Sequence, residues 1–139
     1  KYCTYPLNKQ WRFIIKNSLS NQSLKSWKSS SFLLKIQFDT NQYFKKLKNN
    51  KSYFETFINK DSLAAGVIFL KPGQKDTQEP HESDEVYYIL SGNGFLQLNK
   101  KSYTIKKGQI YFVAKNTPHH FYGNTTNLSV LYFFGGNDS

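Results

Sequence analysis

The chain has 139 residues, 38% of them hydrophobic and 17% aromatic, which suits a single domain with one core and argues against a disordered chain. The single cysteine, Cys3, excludes an internal disulfide and a CxxC metal or redox site. No apolar run approaches the ~18 residues of a membrane-spanning helix, so we expect no membrane partner. The net charge is +10, and it is concentrated at one end of the chain.

Residues 1–38 form a basic leader rich in serine and asparagine. They hold seven basic residues and no acidic one, whereas residues 39–139 hold twelve lysines against nine acidic residues, a difference of only +3. Three interpretations stay open: a solvated extension packed on the domain, an organelle transit peptide, or an arm that binds nucleic acid, the least favoured of the three. We expect a soluble, cytoplasmic protein unless the leader directs it to an organelle. Since methionine is absent even at position 1, we expect further residues before it.

The end of the leader and the segment after it predict a strand followed by helices. Apolar residues alternate at residues 32–38, which predicts a first strand. The pattern then becomes helical, because Asp39 or Thr40 can cap a helix N-terminus and apolar side chains recur at helical spacing. Asn49 is expected to interrupt this repeat, so residues 39–60 are predicted to form a short helical section of two helices.

The remaining residues, 61–139, are predicted to form one barrel domain made of strands. Short apolar stretches alternate with turns that carry glycine, proline or asparagine, which is typical of a sandwich or barrel and not of alternating βαβ units. Several strands are apolar at consecutive positions, so we expect one face to line the barrel and the other to pack on a second sheet or subunit. The predicted strands are Leu63–Lys71, Glu85–Leu90, Gly94–Asn99, Ser102–Ile105, Gln109–Ala114, His119–Gly123 and Leu128–Phe134.

The residues with the richest chemistry lie in two segments of this region. An acidic cluster that contains His81 runs from Glu79 to Glu85, and positions 79, 81 and 85 point the same way on an extended chain. A later turn and strand carry His119 and His120, of which His120 has the opposite parity and is expected to face outward. Two imidazoles and one or two carboxylates that converge inside a barrel form a ligand set for Fe(II), Mn(II), Ni(II) or Zn(II).

The first of these segments resembles the first motif of the cupin superfamily. That motif runs Gly, five residues, His, one residue, His, three or four residues, Glu, six residues, Gly. Every interval fits here, and one residue type differs, because Glu79 stands where the first histidine is usual. The matching positions are Gly73, Glu79, His81, Glu85 and Gly92.

The second segment resembles the second cupin motif, which runs Gly, five residues, Pro, one residue, Gly, two residues, His, three residues, Asn. The spacing from Gly108 to His119 fits. Ala114 replaces the proline, Asn116 replaces the glycine, and the final asparagine is displaced by one position to Asn124. Asparagine tolerates the positive φ that such a turn requires. The resemblance covers roughly Leu63 to Phe134, about half of the chain, and two spaced motifs in this order are a specific signal of the fold.

This resemblance implies an all-β fold, a cupin-type jelly-roll antiparallel β-barrel. It also implies that His81, Glu85 and His119 bind a divalent metal ion, with Glu79 as a candidate fourth ligand. A second carboxylate at the metal would favour harder ions such as Fe(II) or Mn(II) over copper; if Glu79 points away, the other three form a 2-His-1-carboxylate face with open positions. The alternative is a barrel that has lost its metal and holds a hydrogen-bonded polar cluster.

The function that this resemblance implies is that of a mononuclear metalloenzyme, dioxygenase-like, acting on a small organic molecule, with isomerase or lyase chemistry as the second choice. Tyr87, Ile89, Phe121 and Phe112 share the inward parity of the ligands, and Tyr87 is the candidate catalytic hydrogen-bond donor. Many single-barrel cupins dimerise, so a homodimer is expected. The rival function is a non-catalytic module that binds or senses a small ligand or a metal, and fold alone does not separate the two.

Overall fold

The computed structural model describes residues 35–136, which apart from Lys35 belong to one compact unit that begins at Ile36. Within this range one helix precedes eight strands. The elements are α1 (Thr40–Lys48), β1 (Phe54–Lys60), β2 (Leu63–Leu70), β3 (Glu85–Ser91), β4 (Phe95–Leu98), β5 (Lys101–Thr104), β6 (Ile110–Val113), β7 (His119–Tyr122) and β8 (Leu128–Phe134).

The eight strands form two antiparallel sheets in the manner of a jelly roll. One sheet has five strands in the order β1-β2-β8-β3-β6, and the other has three in the order β5-β4-β7. Both sheets contribute to one apolar core, Ile68 and Val130 from the larger sheet and Leu96 and Phe121 from the smaller. The predicted jelly-roll fold is confirmed, with two separate sheets in place of a single closed barrel.

The strands predicted from residue 61 onward are all present, and each begins and ends within one residue of its predicted bounds. Alternation with period two is visible in β3 and β8, where buried and partly buried residues alternate. Within residues 35–136, no helix is long and apolar enough to span a membrane.

The second predicted helix is wrong, because residues 54–60 form strand β1, which pairs with β2. A bulge between Thr56 and Ile58 shifts the register of this pair. The apolar residues on the two sides of the bulge therefore lose their alternation, and their spacing imitates a helical repeat. Pairing with a buried strand outweighs that local pattern.

The first predicted helix is present as α1, and its cap is the predicted one. The Asp39 carboxylate accepts a hydrogen bond from the Asn41 backbone N–H at 3.0 Å. The strand predicted at residues 32–38 is not formed at 35–38. Residues 32–34 and the basic leader before them lie outside the described residues.

Helix α1 covers part of the outer face of the larger sheet. Leu47, 1% exposed, packs there with Val67 and Phe69. The adjacent β2 residues Ile68 and Leu70 point to the opposite face of the sheet and belong to the main core. Strand β2 is consequently buried on both faces, as its consecutive apolar residues predicted.

The outer face of β6 is exposed, and one expectation about this strand is wrong. Phe112 was expected to face inward but is 59% exposed. The reason is the register of β6 on β3, which places Val113 opposite Glu85 and Tyr111 opposite Tyr87. The odd-numbered residues of β6 therefore share the inner face, and Phe112 points outward.

Candidate metal site and adjoining cavity

His81 lies in the long connection between β2 and β3, and backbone groups fix its position. Its Nδ1–H donates to the carbonyl oxygen of Ser83 at 2.7 Å, and its own carbonyl accepts from the Asn116 N–H at 2.7 Å. Asn116 has a φ of 60°, the left-handed conformation expected at that turn. The segments that match the two motifs are thus joined directly through their backbones.

Glu85 and His119 approach His81 from the beginnings of two strands in different sheets. Glu85 is the first residue of β3, between β8 and β6, and is 1% exposed. His119 is the first residue of β7, is 3% exposed, and donates its Nδ1–H to the Thr117 carbonyl oxygen at 2.6 Å. Sheet packing therefore brings together side chains that lie far apart in the sequence.

The three side chains converge on one point. His81 Nε2 lies 2.9 Å from Glu85 Oε2, and His119 Nε2 lies 3.3 Å from the same oxygen. One ligand atom from each residue lies within 4.8 Å of the other two. Two histidines and one carboxylate that converge in this way form a candidate metal site.

The hydrogen bonds around this group show that it suits a cation. Because each Nδ1–H donates to a carbonyl oxygen, the neutral rings present a lone pair at Nε2 to the Glu85 carboxylate. These atoms repel one another unless a proton or a metal ion lies between them. Glu85 Oε1 and His119 Nε2 are buried and have no hydrogen-bond partner among the described residues, a costly arrangement. A divalent ion would satisfy both atoms, so the residues present fit the expected cofactor.

The electrostatic environment of His119 favours positive charge at the same point. Desolvation alone would lower the pKa of His119, but the nearby Glu85 carboxylate and the Thr117 carbonyl oxygen together raise that pKa above its usual value. The group therefore attracts a proton or a metal ion to the same place.

Glu79, the candidate fourth ligand, does not join this group. Its side chain is exposed, and it lies on the wall of the adjoining cavity. The structure thus brings together three of the four candidate ligands. His120 is exposed, in line with its parity.

Tyr87 is fully buried beneath the group, with 0% exposure. Its hydroxyl donates to Gln78 Oε1 at 2.9 Å, and its ring packs edge-on against Phe121, with 4.9 Å between the ring centroids. Burial, and then the charge of Glu85, raise the pKa of Tyr87 well above its usual value, so the phenol keeps its proton. Ile89 and Phe121 are buried in the core, as their parity predicted.

Sequence reasoning missed a buried carboxylate beside this tyrosine. Asp76, 5% exposed, accepts at Oδ2 from the Phe121 N–H at 2.7 Å and from Gln78 Nε2 at 2.8 Å. Gln78 in turn accepts from Tyr87. This chain of hydrogen bonds ties the β2–β3 connection to β3 and β7. Asp76 and Gln78 lie among the five residues between Gly73 and Glu79, where the first motif does not specify residue types. Their position inside the motif was therefore the only sequence signal that could have identified them.

A cavity of about 690 Å³ adjoins the candidate metal-binding group, and His81 and Glu85 are part of its wall. Ligand pockets commonly have this size. The ring of Phe134 lies against His81, with 4.4 Å between the ring centroids. The wall also carries carboxylates and further aromatic rings, namely Asp61, Glu79, Glu82, Tyr53, Phe54 and Tyr132.

Known proteins share this fold. A family model described as a cupin domain matches residues 66–134, which span β2 to β8. An uncharacterized protein of Streptomyces coelicolor is 28% identical over 91 residues, which cover 66% of this chain and 86% of that protein.

Solved structures with low sequence identity have the same architecture. An RmlC-like cupin from Shewanella frigidimarina aligns with a TM-score of 0.57 at 15% identity, over 65% of this chain and 83% of that one. The DMSP lyase DddQ of Ruegeria pomeroyi aligns with a TM-score of 0.55 at 22% identity, over 60% of this chain and 46% of the lyase chain. This chain therefore spans less than half of the lyase, and the likeness is one of fold. The family model and these structures agree with the two sequence motifs, and the chain belongs to the cupin superfamily.

Proposed function

We propose that this cupin domain is a mononuclear metalloenzyme that binds one divalent ion, Fe(II), Mn(II), Ni(II) or Zn(II), through His81, Glu85 and His119. The observation that carries this proposal is the pair of buried acceptor atoms, Glu85 Oε1 and His119 Nε2, without partners among the described residues. Three protein ligands leave coordination positions open. The adjoining cavity gives a small organic molecule access to them.

A bound ion would polarise substrate oxygens and, if it is iron, would also activate dioxygen. The chain's own residues supply orientation. The Nδ1–H groups of both histidines are held by backbone carbonyls, which fixes the ring planes and turns both Nε2 atoms towards Glu85. Aromatic rings form part of the cavity wall next to His81.

We assign Tyr87 a positioning role in place of the catalytic role expected from its parity. Its hydroxyl is committed to Gln78, and Gln78 is part of the cavity wall. Tyr87 itself is not part of the cavity wall, and the Gln78 side chain, whose amide is fixed at its other end by Asp76, connects Tyr87 to the cavity.

A dioxygenase-like reaction is the first candidate, because a face of two histidines and one carboxylate leaves room for substrate and dioxygen together. Lyase or isomerase chemistry is the second. It is favoured by two exposed carboxylates on the cavity wall, Glu79 and Glu82, either of which can accept a proton from a substrate carbon. One protein of similar fold is itself named as a lyase.

Metal content tests the ligand assignment. Protein purified without an affinity column that leaches ions should contain about one divalent ion per chain, and His81→Ala should remove it, because two remaining ligands hold a metal weakly. The matched control is Glu79→Ala, which removes an exposed carboxylate outside the group and should stay close to wild type. A metal-replete His81→Ala variant would contradict the assignment. Equal loss of metal from both variants would point to four ligands.

Turnover separates the candidate functions. Oxygen consumption with candidate phenols, thiols or diketones supports the dioxygenase, and turnover that persists under nitrogen supports the lyase or isomerase. Saturable binding of a small molecule with no turnover under either gas contradicts both and supports a non-catalytic binding module.

We also propose that the protein is a homodimer. Strand β6 lies at the edge of the five-stranded sheet, where its backbone can pair with another strand. Its outward side chains are apolar, with Ile110 67% and Phe112 59% exposed. An apolar edge of this kind is suited to a second copy.

A further inference from the structure

The charge of the cavity wall suggests what kind of molecule the cavity takes. We propose that it binds an organic cation, a substituted ammonium group with an oxygen donor at its other end. This proposal deepens the proposed function and concerns the same cavity, but the preference for positive charge comes from the cavity wall and not from a bound metal.

The acidic residues of the domain are concentrated in this cavity. Residues 35–136 contain thirteen lysines and eight acidic residues, so lysine predominates. Four of the eight acidic residues line this cavity, and none of the described lysines does. Two further cavities each include a lysine, Lys48 in one and Lys75 in the other, and the latter is also lined by Asp76 and Glu79. Among these three cavities, this one combines the most acidic residues with a wall that contains no described lysine. The four residues are Asp61, Glu79, Glu82 and Glu85.

None of these four carboxylates forms an ion pair with a lysine of residues 36–136. The lysine ion pair in that range joins Lys46 to Glu55, and Glu85 pairs with histidines. Glu85 Oε1 is buried at the inner end without a partner among the described residues. With neutral imidazoles, four carboxylates and one divalent ion leave a net charge of −2. A positively charged ligand gains from this field, and an anionic one is repelled.

Aromatic rings line the same cavity and suit the same ligand. Tyr53 and Phe54, the latter 46% exposed, are part of its wall, with 5.5 Å between their ring centroids. Tyr132 and Phe134 continue the aromatic wall, with 5.3 Å between centroids, as far as His81. Ring faces attract cations, and substituted ammonium groups in particular, since such groups bring apolar surface as well as charge. The oxygen donor of the ligand would then reach the metal end, and its charge would remain beside Glu79 and Glu82.

Three probes of similar size and different charge test the proposal: choline, the neutral alcohol 3,3-dimethylbutan-1-ol and the anion 3,3-dimethylbutanoate. Each is titrated into the full chain and followed by ligand-observed NMR. We expect choline to bind at least about 10-fold tighter than the alcohol and the anion to bind weakest. The preference should shrink with added salt, because the outer carboxylates are exposed.

Matched variants locate the preference in the cavity wall. Glu79→Gln combined with Glu82→Gln removes two negative charges from the wall and should reduce the preference for choline over the alcohol to about threefold or less. Asp39→Asn combined with Glu55→Gln changes the net charge equally, outside the cavity, and should keep the wild-type preference. Equal binding of choline and the alcohol, tighter binding of the anion, binding of no probe, or a preference unchanged in the first variant would each overturn the proposal.

Metal content, measured on the same samples, keeps the two proposals apart. The preference for choline should persist in chelator-treated protein, since the wall carboxylates of Asp61, Glu79 and Glu82 lie outside the metal-binding group. Wild-type protein that binds no metal but prefers choline contradicts the metal assignment alone. Metal-replete protein without that preference contradicts the cation proposal alone.

Discussion

Asp76 is a buried carboxylate that holds two parts of the chain together. Its Oδ2 accepts from the Phe121 N–H in β7 and from the Gln78 side chain, and its Oδ1 accepts from the Gln78 N–H at 3.2 Å. All three of these groups donate hydrogen bonds to Asp76, so both of its carboxylate oxygens must act as acceptors. The connection that carries His81 depends on this anchor for its path towards β3.

Asp76→Asn should destabilise the protein by about 1–3 kcal/mol, because the new amide NH₂ must face a donor in place of one oxygen. Urea unfolding followed by circular dichroism measures the loss. Asp39→Asn is the matched control, since asparagine caps a helix as well as aspartate does and the change should stay within about 0.5 kcal/mol. Equal stability of the two variants would show that Asp76 is not an anchor.

The three candidate ligands could be predicted from the sequence at the scale of residues, and their surroundings could not. His81, Glu85 and His119 stand at intervals that the cupin motifs define. The exposed position of Glu79 depends on the backbone path of the β2–β3 connection, and the spacing of motif residues does not predict that path. The same applies to the hydrogen bond between Tyr87 and Gln78, because parity gives the direction of a side chain and not the partner of its hydroxyl.

At the scale of elements, α1 and β1 show where local pattern suffices and where it fails. Helix α1 has a capping residue and an apolar stripe that ends in the buried Leu47. Strand β1 contains a bulge, and the alternation of apolar residues with a period of two holds only within an uninterrupted strand. The spacing of the apolar residues in β1 therefore resembles that of a helix. Long-range pairing with β2 determines its structure.

Leu47→Ala should lower the free energy of unfolding by about 2–4 kcal/mol, because it leaves a cavity between α1 and the outer face of β2. Chemical denaturation measures the change. Lys45→Ala, an exposed position in the same helix, is the control and should change stability by no more than about 0.5 kcal/mol. A small effect of Leu47→Ala would mean that α1 is not part of the core.

At the scale of the whole molecule, the exposed apolar edge at β6 determines the expected assembly. A stable dimer buries about 800 Å² on each partner, and paired edge strands with apolar flanks are a frequent means of reaching that area. The sequence indicated that some strands are apolar on both faces. Only the sheet order places β6 at an edge.

Ile110→Lys combined with Phe112→Lys should weaken dimerisation by at least about 10-fold, because it places two charges in an apolar contact. Light scattering after size-exclusion chromatography gives the mass of each species. Phe95→Lys, an exposed aromatic position in the smaller sheet, is the control and should remain dimeric. A wild-type chain that is monomeric at high concentration would contradict the proposed dimer.

The sequence by itself determined the strands after residue 61, the jelly-roll fold and the three residues that meet at the candidate metal site. Period-two alternation, turn residues and motif intervals are local properties, and they can be read along the chain. Tertiary structure alone decided that β1 is a strand, that Phe112 points outward, that Glu79 lies on the cavity wall and that four carboxylates share one cavity. These features depend on sheet register and on the path of the connections, which arise from contacts between residues far apart in the sequence.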